Sequence, residues 1–400
     1  MRAEDRDCAV GRSALATVRG PIRIKTCIAL FAMLGVSFME SCLDPYSAPA
    51  SLSNVNYLVV QGFLNNEAAP TVIRLSRTVP LTSGDVPVPE HQAIVEIEDD
   101  QGGKFTLTEA DSGSYSGLPF FIDPDKNYRL KIKTSSNKEY ESDFVPFKQT
   151  PAIDSVTWAL DDDDVHIYAN AHDENDNTHY YFWKYDETWA YTSAFPSLNK
   201  YENGQIVDRH DDIFHCWKTL PSTQILISSS VKLAQDIISK YTLITLPLNS
   251  EKFQSEYSMN LHQFALTKDA FEYWQQLKKN TENIGTIFGP QPSQILSNIR
   301  CTSNPAEPVI GYFSASSIEK KRVFISRQEL PLVRNITGYE DCVQDTLFNA
   351  QIPDFRGSEL ITYPVTKGMP PAVVGYLMAS FFCVDCRFHG GTTVKPDFWK

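Results

Sequence analysis

The chain lacks several features that would mark a common class of protein. It has no glycine-rich phosphate loop and no helical histidine pair for a metal, and acidic residues outnumber basic ones by 49 to 36. After residue 41 no apolar run is long enough to cross a membrane, and no internal repeat occurs. These absences predict no cofactor and argue against nucleic acid as a partner, because phosphate binding needs a basic face.

The most informative segment lies near the N-terminus. An apolar run from Cys27 to Met39 follows several basic residues, and it ends at Cys42 with the small residue Ser41 just before it. The run is too short to span a bilayer as a stable helix. This pattern predicts a bacterial lipoprotein signal peptide over residues 1–41, with Cys42 as the lipidated residue. An ordinary secretory signal cut elsewhere, or a retained anchor helix, is the alternative.

Cleavage at this site would set both the location and the charge of the protein. Palmitate-type acyl chains on Cys42 would anchor it, since each buried methylene adds ~0.8 kcal/mol of membrane affinity. Removal of residues 1–41 leaves 30 basic and 45 acidic residues, a net charge near −15. We expect residues 42–54 to form a tether and the protein to face the periplasm or the cell surface from the outer membrane.

The pattern after the tether is mainly β. Between residues 55 and 148, short strands alternate apolar and polar residues, as in the hairpin in which Val95 and Ile97 precede Phe105 and Leu107. This predicts an Ig-like or prealbumin-like β-sandwich. A proline-bounded linker near residue 150 then leads into a larger β-rich domain, predicted over residues 151–400.

One main helix is expected in the second domain, at about residues 267–284. Thr267 is a good N-cap, Asp269 lies where the helix dipole favours an anion, and Gly285 can end the helix. One face of this helix is apolar, and its members are Ala270, Phe271, Trp274 and Leu277. We expect that face to pack against a sheet.

The cysteines that follow Cys42 predict disulfides, because the expected compartment is oxidising. There are five of them, Cys216, Cys301, Cys342, Cys383 and Cys386, so one is left unpaired. We expect Cys216 to pair with Cys301, and Cys342 with either Cys383 or Cys386. Zinc held by the last three cysteines and His389 is a weaker alternative, because a second Cys-x-x-Cys pair is absent. No metal site is therefore predicted.

Other polar motifs favour turns over chemistry. Asp173, Asn175 and Asn177 have the alternate spacing that opens a calcium loop, but the later glycine and glutamate of such a loop are missing. The segment Gly113–Gly117 resembles a nucleophile elbow but has Tyr115 at its centre, where serine is required. The sequence therefore predicts no catalytic residues and a non-enzymatic protein.

Aromatic residues are dense between positions 158 and 191. Strand alternation places Tyr181 and Trp183 on one face and Phe182 and Lys184 on the other. Most of these rings are expected in the core, because aromatics dominate sandwich interiors. If some of them line an exposed cleft, they could stack on a ring-bearing ligand, and the candidates for this role are Trp183, Trp189 and Tyr191.

Several segments together resemble a known family. They are Tyr273–Phe288, Gln291–Gln294, Pro308–Ser316, Lys321–Ile325 and the ending Cys386–Trp399. In these segments the chain resembles the domain-of-unknown-function 4249 family of Bacteroidota lipoproteins, over nearly the whole length after the leader.

The resemblance implies an outer-membrane or surface lipoprotein, often encoded beside a TonB-dependent receptor, with no established reaction and no catalytic residues. We therefore expect a protein that binds an unknown small ligand or assists a TonB-dependent transporter. A surface-anchored hydrolase and a structural or adhesive surface protein are the alternatives.

Overall fold

The chain folds mainly into β-strands, as the alternating pattern predicts. The computed structural model describes residues 56–66, 70–79, 86–118, 121–282 and 297–399. The predicted signal peptide at residues 1–41, the predicted tether at residues 42–54 with Cys42, and Gly285 lie outside these ranges.

The first group of strands comprises β1 (Leu58–Gln61), β2 (Phe63–Leu64), β3 (Val72–Arg77), β4 (Val88–Pro89), β5 (Ile94–Asp99), β6 (Lys104–Asp111), β7 (Ser114–Ser116), β8 (Asn127–Lys133), β9 (Glu139–Ser142) and β10 (Val145–Lys148). The second comprises β11 (Ile153–Asp161), β12 (Asp164–His172), β13 (Tyr180–Thr192), β14 (Asn199–Glu202), β15 (Gln205–Asp208), β16 (His215–Pro221), β17 (Leu226–Ser229), β18 (Ile237–Pro247) and β19 (Glu256–Ala265).

The remaining strands are β20 (Ile299–Cys301), β21 (Val309–Gly311), β22 (Ser314–Ser316), β23 (Ile318–Ser326), β24 (Asp345–Phe348), β25 (Leu360–Lys367) and β26 (Ala372–Ala379). The helices of the described residues are α1 (Lys268–Glu282) and α2 (Phe381–Val384), with 3-10 turns at Glu251–Phe253, Arg327–Glu329, Asn349–Asp354 and Cys386–His389.

The N-terminal sheet buries one face of its strands, as expected. The side chains of Val95, Ile97 and Leu107 are buried, and the alternating residues Leu130 and Ile132 of β8 join the same core. The sheet runs in the order β2-β22-β10-β8-β5-β6-β7-β3-β1-β21, with β4 and β9 attached to its sides and β20 on β9. β2 is at one end of this order and β1 is next to the other end, and only Gly62 separates them in the chain, so the sheet curls until its ends come close.

Three strands of this sheet come from the second half of the chain. β21 pairs in parallel with β1, β22 pairs in parallel with β2 and β10, and β20 pairs with β9. The N-terminal sheet therefore uses chain from both sides of the linker near residue 150. Residues Asn54–Lys400 pack as one compact unit.

The second half builds a sandwich around aromatic residues. A sheet with the order β16-β13-β19-β23 carries β17 beside β13, and a second sheet has the order β11-β12-β18. Inward residues of both sheets share one core, in which Ile167 and Leu243 meet Tyr181, Trp183 and Met259. The alternation predicted for β13 is confirmed, because Phe182 belongs to a different cluster on the opposite face.

Helix α1 packs on that opposite face. Its start is fixed by Thr267, whose Oγ1 accepts a hydrogen bond from the backbone N–H of Ala270 at 3.2 Å. Ala270 and Tyr273 are buried against Phe182, which confirms the expected docking of an aromatic helix face on a sheet. No helix in the described part of the chain is both long and apolar enough to cross a membrane.

Candidate functional site

A concave site lies where the N-terminal sheet, strand β13 and helix α1 meet. We call it the junction cavity. It has a volume of about 370 Å³ and is bounded by β1, β2 and Gly62, by β13, by the loop at residues 222–225, by α1 and by Ile310–Tyr312. Its volume lies within the range of about 300–1,000 Å³ that is usual for small-molecule sites.

Aromatic rings form the main wall of the junction cavity. They are Phe63, Phe182, Tyr273, Trp274 and Tyr312. Phe63 lies 6.2 Å from the Trp274 ring and nearly parallel to it, and Phe182 lies 4.8 Å from Trp274 at a tilt. The rings come from β2, β13, α1 and the residue after β21, so the wall forms only when these elements are in place.

Two polar groups of this wall have unusual surroundings. The indole Nε1 of Trp274 is buried and has no hydrogen-bond partner among the described residues. Buried polar groups in proteins are nearly always paired, so this unpaired donor is an exception. Burial raises the pKa of Tyr273 to about 12, although a hydrogen bond from the backbone of Gly311 acts in the opposite direction.

Lys184 supplies the cationic group of the junction cavity. Strand alternation directs it to the same face as Phe182, and its Nζ lies 5.4 Å from the centre of the Phe63 ring and 5.6 Å from that of Phe182. No carboxylate of the described residues lies within ion-pair distance of this ammonium. A lysine that stacks on two rings without a counter-ion is unusual in a chain with net charge −13.

The electrostatic surroundings of Lys184 disfavour its charge. Partial burial, which removes water from around the ammonium, is the main cause that lowers the pKa of Lys184. The positive charge of Arg74 lowers this pKa further, and the negative charge of Asp186 acts in the opposite direction. The side chain still has accessible surface, so solvent and ligands can reach it. Asp186 lies 3.5 Å from His262 and is thus shared with another potential cation.

The backbone comes unusually close at one side of the cavity. Gly311 has a φ of +136°, and a Cβ at this position would lie 2.2 Å from the carbonyl oxygen of Val60. Gly62, which follows β1, has a φ of +152° and is crowded by Val72 and Ile73 of β3. Gly311 thus allows β1 and β21 to pair beside the cavity, and Gly62 allows the chain after β1 to pass close to β3.

The predicted ligand residues lie elsewhere, and the structure corrects this prediction. Trp183, Trp189 and Tyr191 are buried in the core between the two sheets and do not line the junction cavity. Trp183 donates its indole N–H to Gln263 at 2.8 Å, and the Tyr191 hydroxyl donates to the backbone carbonyl of Cys386 at 2.8 Å. They lie on the inward face of β13. Phe182 and Lys184, which reach the cavity, lie on the opposite face of the same strand.

The family segments, in contrast, do contain cavity residues. Tyr273, Trp274 and Leu277 come from the first segment, and Ile310, Gly311 and Tyr312 come from the segment Pro308–Ser316. The residues that sequence reasoning missed as site residues are Lys184 and Phe63. The lysine inside the aromatic run Tyr180–Tyr185 was the one local signal for this face.

The cysteine pairing differs in part from the expected one. Cys216 pairs with Cys386, and Cys342 pairs with Cys383, which is one of the two partners expected for it. The expected pair of Cys216 with Cys301 is wrong, because Cys301 lies buried on β20 of the N-terminal sheet and Cys216 lies on β16 of another sheet. Cys301 is the unpaired cysteine of the described residues.

The two disulfides fasten the end of the chain to the second sandwich. Beside Cys216, the backbone of Trp217 exchanges hydrogen bonds with Thr392 at 2.8 and 2.9 Å. Cys342, Cys383 and Cys386, the thiols of the zinc alternative, are all used in these bonds. Within the described ranges, no group of three or more His, Cys, Asp or Glu side chains is placed to hold a metal ion.

The calcium-like segment is a turn. The Asp173 carboxylate accepts hydrogen bonds from the backbone N–H groups of Asn175 at 2.9 Å and Asn177 at 3.1 Å. Its oxygens therefore stabilise the local chain.

A Ser-His-Glu arrangement occurs on the surface, at the turn between β6 and β7. His91 Nδ1 lies 2.7 Å from Glu109 Oε1, and its Nε2 lies 3.5 Å from the Ser112 hydroxyl. Yet the backbone N–H of Gly113, which follows the serine, donates to Glu109 at 3.2 Å, and that of Ser112 donates to Asp111 at 2.7 Å. The amides that would stabilise an oxyanion beside the serine are engaged, so we assign this arrangement to holding the turn.

Comparison with solved structures gives weak likenesses. One is described as a "putative carbohydrate binding protein" from Bacteroides uniformis ATCC 8492, with 10% identity, a TM-score of 0.14, and coverage of 53% of this chain and 90% of that one. A DUF3823 family protein from Bacteroides ovatus ATCC 8483 has 11% identity, a TM-score of 0.14, and coverage of 52% and 90%. CBD12 from CALX1.2 has 8% identity, a TM-score of 0.13, and coverage of 67% and 100%.

No curated protein matches the chain. A family profile matches residues 44–322, which include every element that lines the junction cavity. This match extends over more than half of the chain, and the protein therefore belongs to the DUF4249 family, a family defined by a domain of unknown function.

Proposed function

We propose that this protein is a non-enzymatic binding protein that holds a small ring-bearing ligand in the junction cavity. The observation that carries the proposal is the aromatic wall with two polar groups that have no partner among the described residues, the ammonium of Lys184 and the indole N–H of Trp274. Rings offer stacking surface, and a few convergent polar groups fix orientation, which is the usual composition of a small-molecule site.

We further propose that binding serves a TonB-dependent transporter at the outer membrane, to which Cys42 holds the protein. The leader pattern and the resemblance to surface lipoproteins support this part of the proposal. The compact unit from Asn54 onward would then present the cavity at the end of a short tether.

Native purification tests both parts. The full-length chain is isolated from its own membranes, and mass spectrometry identifies the proteins and small molecules that come with it. We expect a small molecule in about stoichiometric amount and a TonB-dependent receptor. A chain that carries no small molecule would contradict ligand binding, and a chain repeatedly isolated without a receptor would contradict the accessory role.

One variant links the small molecule to the cavity. Thr223 lines the cavity from the loop at residues 222–225 and is exposed, so Thr223→Trp should fill the space without disturbing the core. The matched control is Thr106→Trp, at an exposed position of β6 in the N-terminal sheet. The small molecule should be lost from Thr223→Trp and kept by the control.

A further inference from the structure

Two cations near the junction cavity lack counter-ions. Neither Lys184 nor Arg74 forms an ion pair or a side-chain hydrogen bond with any residue that the structure describes, and Arg74 lies on β3 directly opposite Gln61, which lines the cavity. Most other cations of the N-terminal sheet are paired, as shown by Arg129 with Glu98 at 2.7 Å and Lys138 with Glu307 at 2.5 Å. The absence of a counter-ion is thus a local property of this site.

Leaving two like charges together costs free energy unless an anion joins them. Both side chains are exposed, so water screens much of this cost, but the ammonium of Lys184 also lies beside the apolar rings of Phe63 and Phe182. Asp186, the acidic group that acts on Lys184, is also close to His262 and forms no ion pair with Lys184. A ligand anion would therefore meet a cationic field that the protein itself does not neutralise.

The aromatic wall specifies what else the ligand carries. Phe63 and Trp274 present nearly parallel rings, an arrangement that suits a flat or ring-shaped group. The buried N–H of Trp274, on the same wall, has no partner among the described residues. The space of about 370 Å³ has room for one or two rings.

We propose that the ligand of the junction cavity is a ring-bearing carboxylate, such as a sugar acid or an aromatic acid, with its carboxylate in the joint field of Lys184 and Arg74. This inference rests on the proposed function and deepens it by naming the ligand class. The ammonium of Lys184 contacts the carboxylate, and the rings contact the body of the ligand.

A matched pair of probes tests the assignment. 4-Nitrophenyl β-glucuronide and 4-nitrophenyl β-glucoside differ only in a carboxylate in place of a hydroxymethyl group. Titration calorimetry with the full-length chain should show about tenfold to a hundredfold tighter binding of the glucuronide, the range expected for a charge-assisted hydrogen bond. Lys184→Met should remove this preference, and Lys184→Arg should keep most of it.

Lys268→Met is the control for loss of a positive charge, since Lys268 lies at the exposed start of α1 and pairs with Glu272 at 3.6 Å. It should leave the preference unchanged. Equal affinity for the two probes, or a preference that survives Lys184→Met, would overturn the carboxylate assignment while leaving ligand binding intact. If neither probe binds, the assignment is overturned, and the native purification then decides separately whether the cavity binds any small molecule.

Discussion

Glu98 and Lys184 differ in both burial and pairing, since the first is buried and paired and the second is exposed and unpaired among the described residues. Glu98 is only 5% exposed, and three cations surround its carboxylate: Lys104 at 3.0 Å, Arg129 at 2.7 Å and Lys131 at 2.9 Å. Lys184 is accessible and has no carboxylate partner in the described part of the chain. Breaking the pairing of a buried charge destabilises the fold, whereas an accessible unpaired charge is available to a ligand.

The pairing of Glu98 predicts acid-sensitive stability. Burial acts to raise the pKa of Glu98, but hydrogen bonds from Lys131, Lys104 and Arg129 outweigh it and lower the pKa to about 2 from a usual value of 4.5. The carboxylate therefore stabilises the fold fully above about pH 4.5, and this contribution is lost as the pH falls toward 2. We expect Glu98→Gln to lower the free energy of unfolding by about 2 kcal/mol at pH 7, with the deficit shrinking below pH 4.5.

Urea denaturation between pH 7 and pH 2.5 measures this change. Glu174→Gln is the control, because the Glu174 side chain is 87% exposed and should show almost no deficit at any pH. A deficit for Glu98→Gln that stayed constant down to pH 2.5 would show that the cations do not stabilise the charged form.

At the scale of single residues, the sequence predicted which residues share a strand face better than it predicted which residues line a cavity. Alternation along β13 placed Trp183 and Lys184 on opposite faces, and the structure confirms this. Which face would be core and which would meet a cavity depends on the partners packed against each side, and those partners are Ile167 of β12 and Trp274 of α1. No local pattern carries that information.

Among the elements, the parallel pairing of β1 with β21 holds the N-terminal sheet and the cavity together. It places Leu58 beside Val309 and Val60 beside Gly311. The close approach at Gly311 leaves no room for a side chain, since a Cβ would lie 2.2 Å from the Val60 carbonyl oxygen.

Gly311→Ala should therefore destabilise the protein by about 3 kcal/mol or more, because both a clash and an unfavourable φ are introduced. The matched control is Gly102→Ala. Gly102 also has a positive φ, +92°, but a Cβ there would meet nothing within 4 Å. Its cost should be about 1 kcal/mol, which measures the backbone strain alone. Urea midpoints that are equal for the two variants would refute the close approach.

The elements that the sequence could predict are those held by contacts between residues close together in the chain. Hairpins such as β5–β6 and the helix at 268–282 follow from alternation and capping signals within a few residues. The return of β20, β21 and β22 to the N-terminal sheet, and the bond between Cys216 and Cys386, join segments separated by more than 150 residues. Such contacts follow from the overall packing, and short-range patterns do not encode them.

For the whole molecule, the proposed anchor at Cys42 would have to hold an acidic domain near the membrane. The chain after residue 41 has a net charge near −15, which disfavours adsorption on an anionic surface. Retention would then depend on the acyl chains of Cys42 and on a protein partner. Each acyl chain would contribute through its buried methylenes, at ~0.8 kcal/mol each, so several chains would make the anchor effectively permanent.

Cys42→Ala should accordingly release the protein from the membrane while leaving its fold intact, because the compact unit begins only at Asn54. Fractionation of cells that express the variant should move the chain from the membrane pellet to the soluble fraction, and its urea midpoint should not change. Cys27→Ala is the control, since it removes a cysteine from the apolar run without touching the processing site. Membrane retention of Cys42→Ala equal to that of the control would favour a retained anchor helix, because only an anchor independent of acylation would survive the loss of this thiol.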